Sequence, residues 1–424
     1  MLMENTVSIY DFVNAIAETL DLASPALNNH HNRVAHIAGN IAQRMGLPPE
    51  EIQEIIMAAM LHDIGAFSLS ERSSLCDFDI NDDSKHHHAF VGYVLLKDFE
   101  PLATVAQLIK YHHADYDKSR KDIPLGSYII HLADRVAIIL DEDREVFSQL
   151  PEIANKIHSK TEMFEPRSMD AFDVILGLDY IWVDIFIPSL GFALLRKIGT
   201  SRRIVGLDAM LGFARMFAHI IDFRSRFTAT HSSGVAAVAK ELSSIAGFSK
   251  RESCLMEIAG YLHDLGKIAV PNSILEKQGP LNAEEFNIIK KHPYYTYAIL
   301  NKIGGLEHIA TWAAYHHERN DGNGYPFHVQ NENFSKLSRI MVVADIFTAL
   351  SEDRPYRLGM NENEAVRTLT SMSERGLIDI SLVEKVQDNF KRIDNARIKA
   401  QKEAQKEYDA FHNADTLESF LFAA

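Results

Sequence analysis

Positive charge is scarce in this chain. Its 424 residues carry 43 Lys and Arg against 58 Asp and Glu, a formal net charge of −15. It therefore lacks a broad basic surface, and neither a nucleic-acid polymer nor a membrane is an expected partner. A small anionic substrate stays compatible if bound metal supplies local positive charge. Cysteine is nearly absent: Cys76 and Cys254 alone exclude a disulfide framework and point to a cytoplasmic protein. Met1 to Tyr10 has neither the basic nor the apolar region of a signal peptide. The most apolar stretch, Ile181 to Leu195, contains Asp184 and Pro188 and is shorter than the roughly 20 residues of a spanning helix. It reads as a buried helix pair or a domain-interface segment. Strand signals are scarce, and low-complexity segments and a Gly/Ser-rich linker are missing.

What is present is helical periodicity, written twice. The chain is 46% hydrophobic, enough to bury a substantial core in two or three domains. Val34, Ile37, Ala38, Ile41 and Met45 form a stripe ending at Gly46, and Val235, Val238, Ala239, Leu242 and Ala246 form another ending at Gly247. The glycines suit left-handed C-terminal caps. Leu61-His62-Asp63-Ile64-Gly65 and Leu262-His263-Asp264-Leu265-Gly266 lie 201 positions apart, as do the stripes. His88 and His292, and the doublets His112-His113 and His316-His317, are offset by 204, and Asp134 and Asp345 by 211. The expected fold is all-α, an internal duplication of one helical unit. Its expected parts are an N-terminal domain over 1–145, a helical connector over 146–204, a second domain over 205–390, and a charged, solvated helix and tail over 391–424.

In the second copy, His231, His263, Asp264, His292, His316, His317 and Asp345 exceed what one ion needs, whereas two adjacent ions sharing a carboxylate use all seven. Mixed imidazole and carboxylate donors suit Fe, Mn, Zn, Co or Ni better than Ca or Mg. An adjacent His-Asp pair on a helix is awkward at a single ion and reasonable when Asp264 lies between two. Such a pair of ions supports in-line phosphodiester hydrolysis. Lys267, one helical turn from His263, is placed to neutralise a phosphate oxygen. The turn-rich segment Glu318 to Pro326 has no counterpart in the first copy.

Residues 205 to 390 resemble the HD-GYP family, a branch of the HD phosphohydrolase superfamily. The matching residues are His231, His263-Asp264-Leu265-Gly266-Lys267, His292-Pro293, His316-His317-Glu318, Asp321-Gly322-Asn323-Gly324-Tyr325-Pro326 and Asp345. The resemblance implies an all-helical domain with a bi- or trinuclear metal centre, commonly iron or manganese, that hydrolyses cyclic di-GMP to linear pGpG or onward to GMP. It implies that His231, His263, Asp264 and Asp345 hold one divalent ion and Asp264, His292, His316 and His317 the other. Lys267, Arg354 and Arg357 then meet substrate phosphate, with Asp264 and Lys267 as the catalytic pair. The Gly324-Tyr325-Pro326 loop resembles the family's surface element, which is implicated in contacts with diguanylate cyclase (GGDEF) domains. A homodimer is compatible with this reading.

The pattern also departs from the family. Phe227 stands where members with a third metal have Glu, so a binuclear site is expected. Thr348 replaces a usual Asp and Thr296 a common Gly, and some relatives act on 3′3′-cyclic GMP-AMP instead. The first copy resembles a plain HD domain: His30, His62, Asp63, His88, His112, His113 and Asp134 align with every ligand, making a second metal site there an expectation. Ala66 stands in place of Lys267 and the Gly-Tyr-Pro loop is missing, which fits a regulatory role. Alternatives are hydrolysis of another phosphoester and a non-catalytic cyclic dinucleotide sensor. His86 and His87 read as bystanders, Trp182 and Trp312 as core, Asn282 with Glu285 as a capping box, and Glu318 as support for its neighbouring histidines.

Overall fold

Helix boundaries repeat at the offsets of the motifs. In the computed structural model, which describes residues 7–22, 29–66, 84–187, 193, 204–222, 229–275, 277, 279–330, 333–353 and 358–421, α1 (Ile9–Leu22), α2 (His30–Arg44), α3 (Pro49–Leu61), α4 (Ser84–Leu96), α5 (Ala103–Lys110) and α6 (Leu125–Ile139) form the first copy. Then come α7 (Val146–His158), α8 (Pro166–Leu176) and α9 (Asp179–Asp184). The second copy is α10 (Leu207–Asp222), α11 (His231–Ile245), α12 (Lys250–Leu262), α13 (Ala283–Ile289), α14 (His292–Leu300), α15 (Glu307–Ala314) and α16 (Lys336–Ser351), followed by α17 (Glu362–Glu374), α18 (Ile380–Asp388) and α19 (Phe390–Leu421). The α3/α12 pair starts and ends 201 residues apart, and the α5/α15 pair 204 apart. The single strand pairing among the described residues joins Val7–Ser8 to Ile204–Val205. The chain divides into one unit of Ser8–Arg203 and another of Met1–Val7 with Ile204–Ala424. No helix among the described residues is long and apolar enough to cross a membrane.

Each unit is organised around its second helix. In α2 every residue from His30 to Ala42 is buried, the signature of a helix enclosed by neighbours rather than lying on a surface. Val34, Ile37, Ala38 and Ile41, and in α11 Val235, Val238, Ala239 and Leu242, are fully buried; each large aliphatic side chain contributes about 1.5–3 kcal/mol. Both helices stop at glycines in the left-handed region, Gly46 at φ 73° and Gly247 at φ 92°. Leu47 and Phe248 donate back to the carbonyls of Ala42 and Ser243, which is Schellman closure. In the second unit Ser249 and Glu252 then start α12 with a reciprocal capping box.

Two segments differ from their sequence reading. The connector helices count with the first unit: His36 meets the Ile181 carbonyl at 3.0 Å, and Ile181, Trp182 and Ile185 are fully buried. Of the apolar stretch, 188–192 and 194–195 lie outside the described residues. The terminal run is not a solvated helix along its length. Phe390, Ile393, Arg397 and Ala404 of α19 are buried, a face at helical spacing that packs on α11. Arg392 pairs with Glu241 at 2.8 Å. Its many charges hid the sparse apolar stripe.

The tightest approach in each unit follows the His-Asp pair. A Cβ on Gly266 would lie 2.0 Å from the His292 carbonyl oxygen, and one on Gly65 would lie 2.1 Å from that of His88. Only glycine lets the motif turn touch the helix carrying the middle histidine. Gly266→Ala and Gly65→Ala should each destabilise by about 1–3 kcal/mol in urea unfolding. Gly304→Ala, with nothing near its added Cβ, should stay within about 0.5 kcal/mol.

Candidate metal centre

The second-copy motif sits at a helix end, which resolves the geometry of its adjacent His and Asp. α12 ends at Leu262, His263 caps it, and Asp264 leads into a 3₁₀ turn over Leu265–Ala269. Both side chains can therefore face one cavity. Thr296 locks the turn: its hydroxyl donates to the His263 carbonyl at 3.0 Å and accepts from the Gly266 N–H at 2.9 Å. The Thr found where a Gly is common thus has a structural task.

Three histidines are oriented by one device. Nδ1 of His263, His292 and His316 lies 2.7–2.8 Å from the carbonyl three residues earlier, at Gly260, Ile289 and Ala313. A carbonyl only accepts, so each Nδ1 carries the hydrogen and each Nε2 turns its lone pair inward. These lone pairs converge on Asp264. Its Oδ2 is 3.2 Å from His263 Nε2, and its Oδ1 is 3.2 Å from His292 Nε2 and 3.8 Å from His316 Nε2. His292 and His316 face each other at 3.1 Å through Nε2. Asp345 Oδ1 stands 3.3 Å from His231 Nε2, and its Oδ2 is 3.9 Å from His317 Nδ1. His231, His263 and Asp264 form one donor cluster able to hold an ion, and His292, His316 and His317 another. Asp264 Oδ1 is buried with no hydrogen-bond partner. An orphaned carboxylate oxygen among inward lone pairs is repulsive unless a cation lies between them, so the residues fit a metal.

The electrostatics agree. Burial holds the His292, His316 and His317 imidazoles below their usual range, His317 down to about 3, which keeps them neutral as metal ligation requires. Burial opposes ionisation of Asp264, yet the adjacent His263 and Lys267 keep its carboxyl well below the carboxylate range. Lys267 Nζ is 2.5 Å from Asp264 Oδ2. Burial disfavours its charge, but Asp264 and Asp345 outweigh that and hold the ammonium above its ordinary value. His231 is the exception: burial opposes its charged form, but Glu352 and Asp345 raise it to about 10, so an ion taken up there must displace that proton.

Several supporting groups were not legible in the motifs. Glu352 lies 3.1 Å from His231 Nδ1, and Gln401 of α19 donates to Glu352 at 3.1 Å, linking the terminal helix to the centre. Asp222 accepts from the Ser232 N–H and hydroxyl at 3.2 and 3.0 Å, and burial with the nearby Asp264 charge raises its carboxyl to about 7. Glu318 is fully buried, but it supports the loop rather than the histidines, accepting from the Phe327 and Val329 N–H groups at 2.7 and 3.1 Å. The Gly-Tyr-Pro segment folds inward. Gly324 is buried and Tyr325 half-buried, with the Tyr325 ring 4.9 Å from that of His317. Thr348 is buried and donates to the Ala344 carbonyl at 2.8 Å. Arg354, Arg357 and Phe227 lie outside the described residues.

The first unit repeats the arrangement. Nδ1 of His62 and His112 meets the Ala59 and Ile109 carbonyls at 2.8 and 2.7 Å. Asp63 Oδ2 is 3.2 Å from His62 Nε2, and its Oδ1 is 3.2 Å from His88 Nε2. His30 Nε2 is 3.2 Å from Asp134 Oδ1. His113 completes a cluster with Asp63, His88 and His112, while His30 joins His62 and Asp134. His31, which the motif spacing did not single out, makes a further cluster with His62 and Asp63. His86 is exposed and His87 half-buried.

Comparison with known proteins places this geometry. Residues 28–139 and 215–382 each match the HD domain family. The 3′3′-cGAMP-specific phosphodiesterase 1 of Vibrio cholerae is 29% identical over 393 residues, spanning 89% of this chain and 90% of the relative. A cyclic di-GMP phosphodiesterase of Pseudomonas aeruginosa is 41% identical over 115 residues, 26% of this chain and 27% of that protein. The crystal structure of a cyclic GMP-AMP-specific phosphodiesterase of V. cholerae, V-cGAP3, superimposes with a TM-score of 0.62 at 19% identity, covering 91% of this chain and 98% of that one. The chain belongs to the HD-GYP family of HD-domain proteins, with two HD domains in tandem.

Metal should stabilise this fold by mass action, by about 2.7 kcal/mol at a hundredfold excess over Kd. Adding Mn²⁺ to the chelator-treated protein should raise Tm, and Asp264→Ala should remove the second centre's share of that rise while Asp63→Ala removes the first's.

Proposed function

We propose that the chain is a metal-dependent phosphodiesterase of cyclic dinucleotides and that its second unit carries the reaction. The observation that carries the assignment is the single carboxylate of Asp264, reached from its two sides by His263 at Oδ2 and by His292 and His316 at Oδ1. His231, His263, Asp264 and Asp345 would hold one divalent ion, and Asp264, His292, His316 and His317 the other, with iron or manganese suited to the donor set. Such a pair supplies an activated water and stabilises charge on the phosphoryl oxygens. The chain's own part is to orient and to compensate charge. The carbonyl-pinned imidazoles fix the donors, Lys267 brings a cation to the reacting phosphate, and Tyr325 with the buried Glu318 keeps the loop against His317. This packing supports a role for the Gly-Tyr-Pro loop within the site, ahead of one in docking diguanylate cyclase domains.

Cyclic di-GMP is the first substrate to test. A preference for 3′3′-cyclic GMP-AMP is a second reading, favoured by the V. cholerae relative that matches along nine-tenths of both chains. The first unit, with its seven aligned donors but Ala66 in place of the lysine, is proposed to hold metal in a regulatory role. Protein purified anaerobically with iron or manganese should cleave at least one of the two cyclic dinucleotides. Failure on both would refute the assignment. Lys267→Ala should lower kcat/KM on the order of 10²-fold while the metal content stays; loss of metal would show that Lys267 acts structurally. Asp63→Ala should lower metal content and leave turnover, and equal loss of turnover from Asp63→Ala and Asp264→Ala would refute the division between units.

A further inference from the structure

The two centres differ at one buried position that the duplication makes visible. The residue 201 positions before Ser232 is His31, and the one 201 before Asp222 is Asp21. Both copies keep the carboxylate near the end of the preceding helix. In the second unit it holds the short Ser232 side chain through Oγ at 3.0 Å. In the first it holds an imidazole: Asp21 Oδ1 is 2.5 Å from His31 Nδ1. A carboxylate at Nδ1 leaves Nε2 to carry the lone pair, the arrangement of a carboxylate-histidine-metal triad.

His31 Nε2 is buried and has no hydrogen-bond partner, and His31 itself is 1% exposed. It is aimed into the centre. Nε2 lies 4.0 Å from Asp63 Oδ2, and the donor atoms of His31, His62 and Asp63 all fall within 4.8 Å of one another. Donors about 2.0–2.2 Å from a shared ion are separated by this range. Its ring centroid is 5.3 Å from that of His62 and 5.6 Å from that of His30. In the second unit the corresponding oxygen, Asp264 Oδ2, faces Lys267 Nζ instead.

We propose that His31, oriented by Asp21, is an eighth metal ligand peculiar to the first centre, taking the face of Asp63 that Lys267 takes at Asp264. The inference rests on the reading that the first unit holds metal. Its consequence is a closed centre. Catalytic sites keep a coordination position open, whereas structural sites fill theirs with protein ligands. Arg135 adds to the closure, its guanidinium 2.6 Å from Asp134 Oδ2, where the second copy has Ile346 after Asp345. The first unit thus exchanges substrate access for a better-held ion.

The test uses the full chain carrying Asp264→Ala, or His316→Ala if the former does not fold, so that the first centre dominates. Co²⁺ alone is titrated anaerobically against a competing chelator, with the visible absorption bands of the bound ion recorded. His31→Ser, the residue of the second copy, should raise the apparent Kd at least about tenfold and shift the bands, and Asp21→Asn should weaken binding in the same direction. His31→Gln should reproduce the loss with the metal-free melting temperature unchanged. If Co²⁺ binds but His31→Ser changes neither affinity nor spectrum, His31 is not a ligand and the first metal centre stands without it. If the background variants fold and bind no Co²⁺, both the inference and the reading beneath it are wrong.

Discussion

Lone pairs that converge on one buried carboxylate dictate much of this architecture. Three imidazole nitrogens lie within 3–4 Å of two carboxylate oxygens, an arrangement that is repulsive unless protons or a cation lie among them. The surroundings keep them there. Helix-end carbonyls pin the rings, Gly266 lets the motif turn press against α14, Thr296 stitches that turn, and α19 reaches the shell through Gln401 and Glu352. Metal affinity and folding stability are accordingly coupled rather than separate properties.

The duplication shows how one scaffold supports two electrostatic outcomes. Both units keep the shared Asp, the pinned histidines and the close glycine contact. They differ in what faces the outer oxygen of the shared Asp: a lysine at Asp264, and in the first unit a histidine braced by its own carboxylate. A lysine can move to meet a phosphate, whereas a braced imidazole is fixed as a donor. The proposed division of chemistry between the units would follow from that exchange and from the loop that only the second unit carries.

Most of the donor set was legible in the sequence because His and Asp in the same order at nearly the same spacing, written twice, are hard to produce by packing needs alone. The all-α fold was legible through the same repetition, in offsets of 201 and 204 that reappear as helix boundaries. What the sequence hid are partners joined only by folding. Glu352, just past the end of α16, reaches His231, Gln401 of α19 reaches Glu352, and Thr296 looks like a mere substitution until its hydroxyl is seen between two backbone groups. The terminal helix was obscured because its buried residues are spaced among charges. His31 and Asp21 did carry a signal, their shared 201 offset from Ser232 and Asp222, which becomes readable once the carboxylate is seen holding both partners.

Anomalous diffraction from crystals grown anaerobically with Mn²⁺ tests the central claim most directly. The account predicts two peaks in the second unit, about 3.5–4 Å apart, one on each side of the Asp264 carboxylate. A single peak away from Asp264, or none with every donor in place, would contradict it.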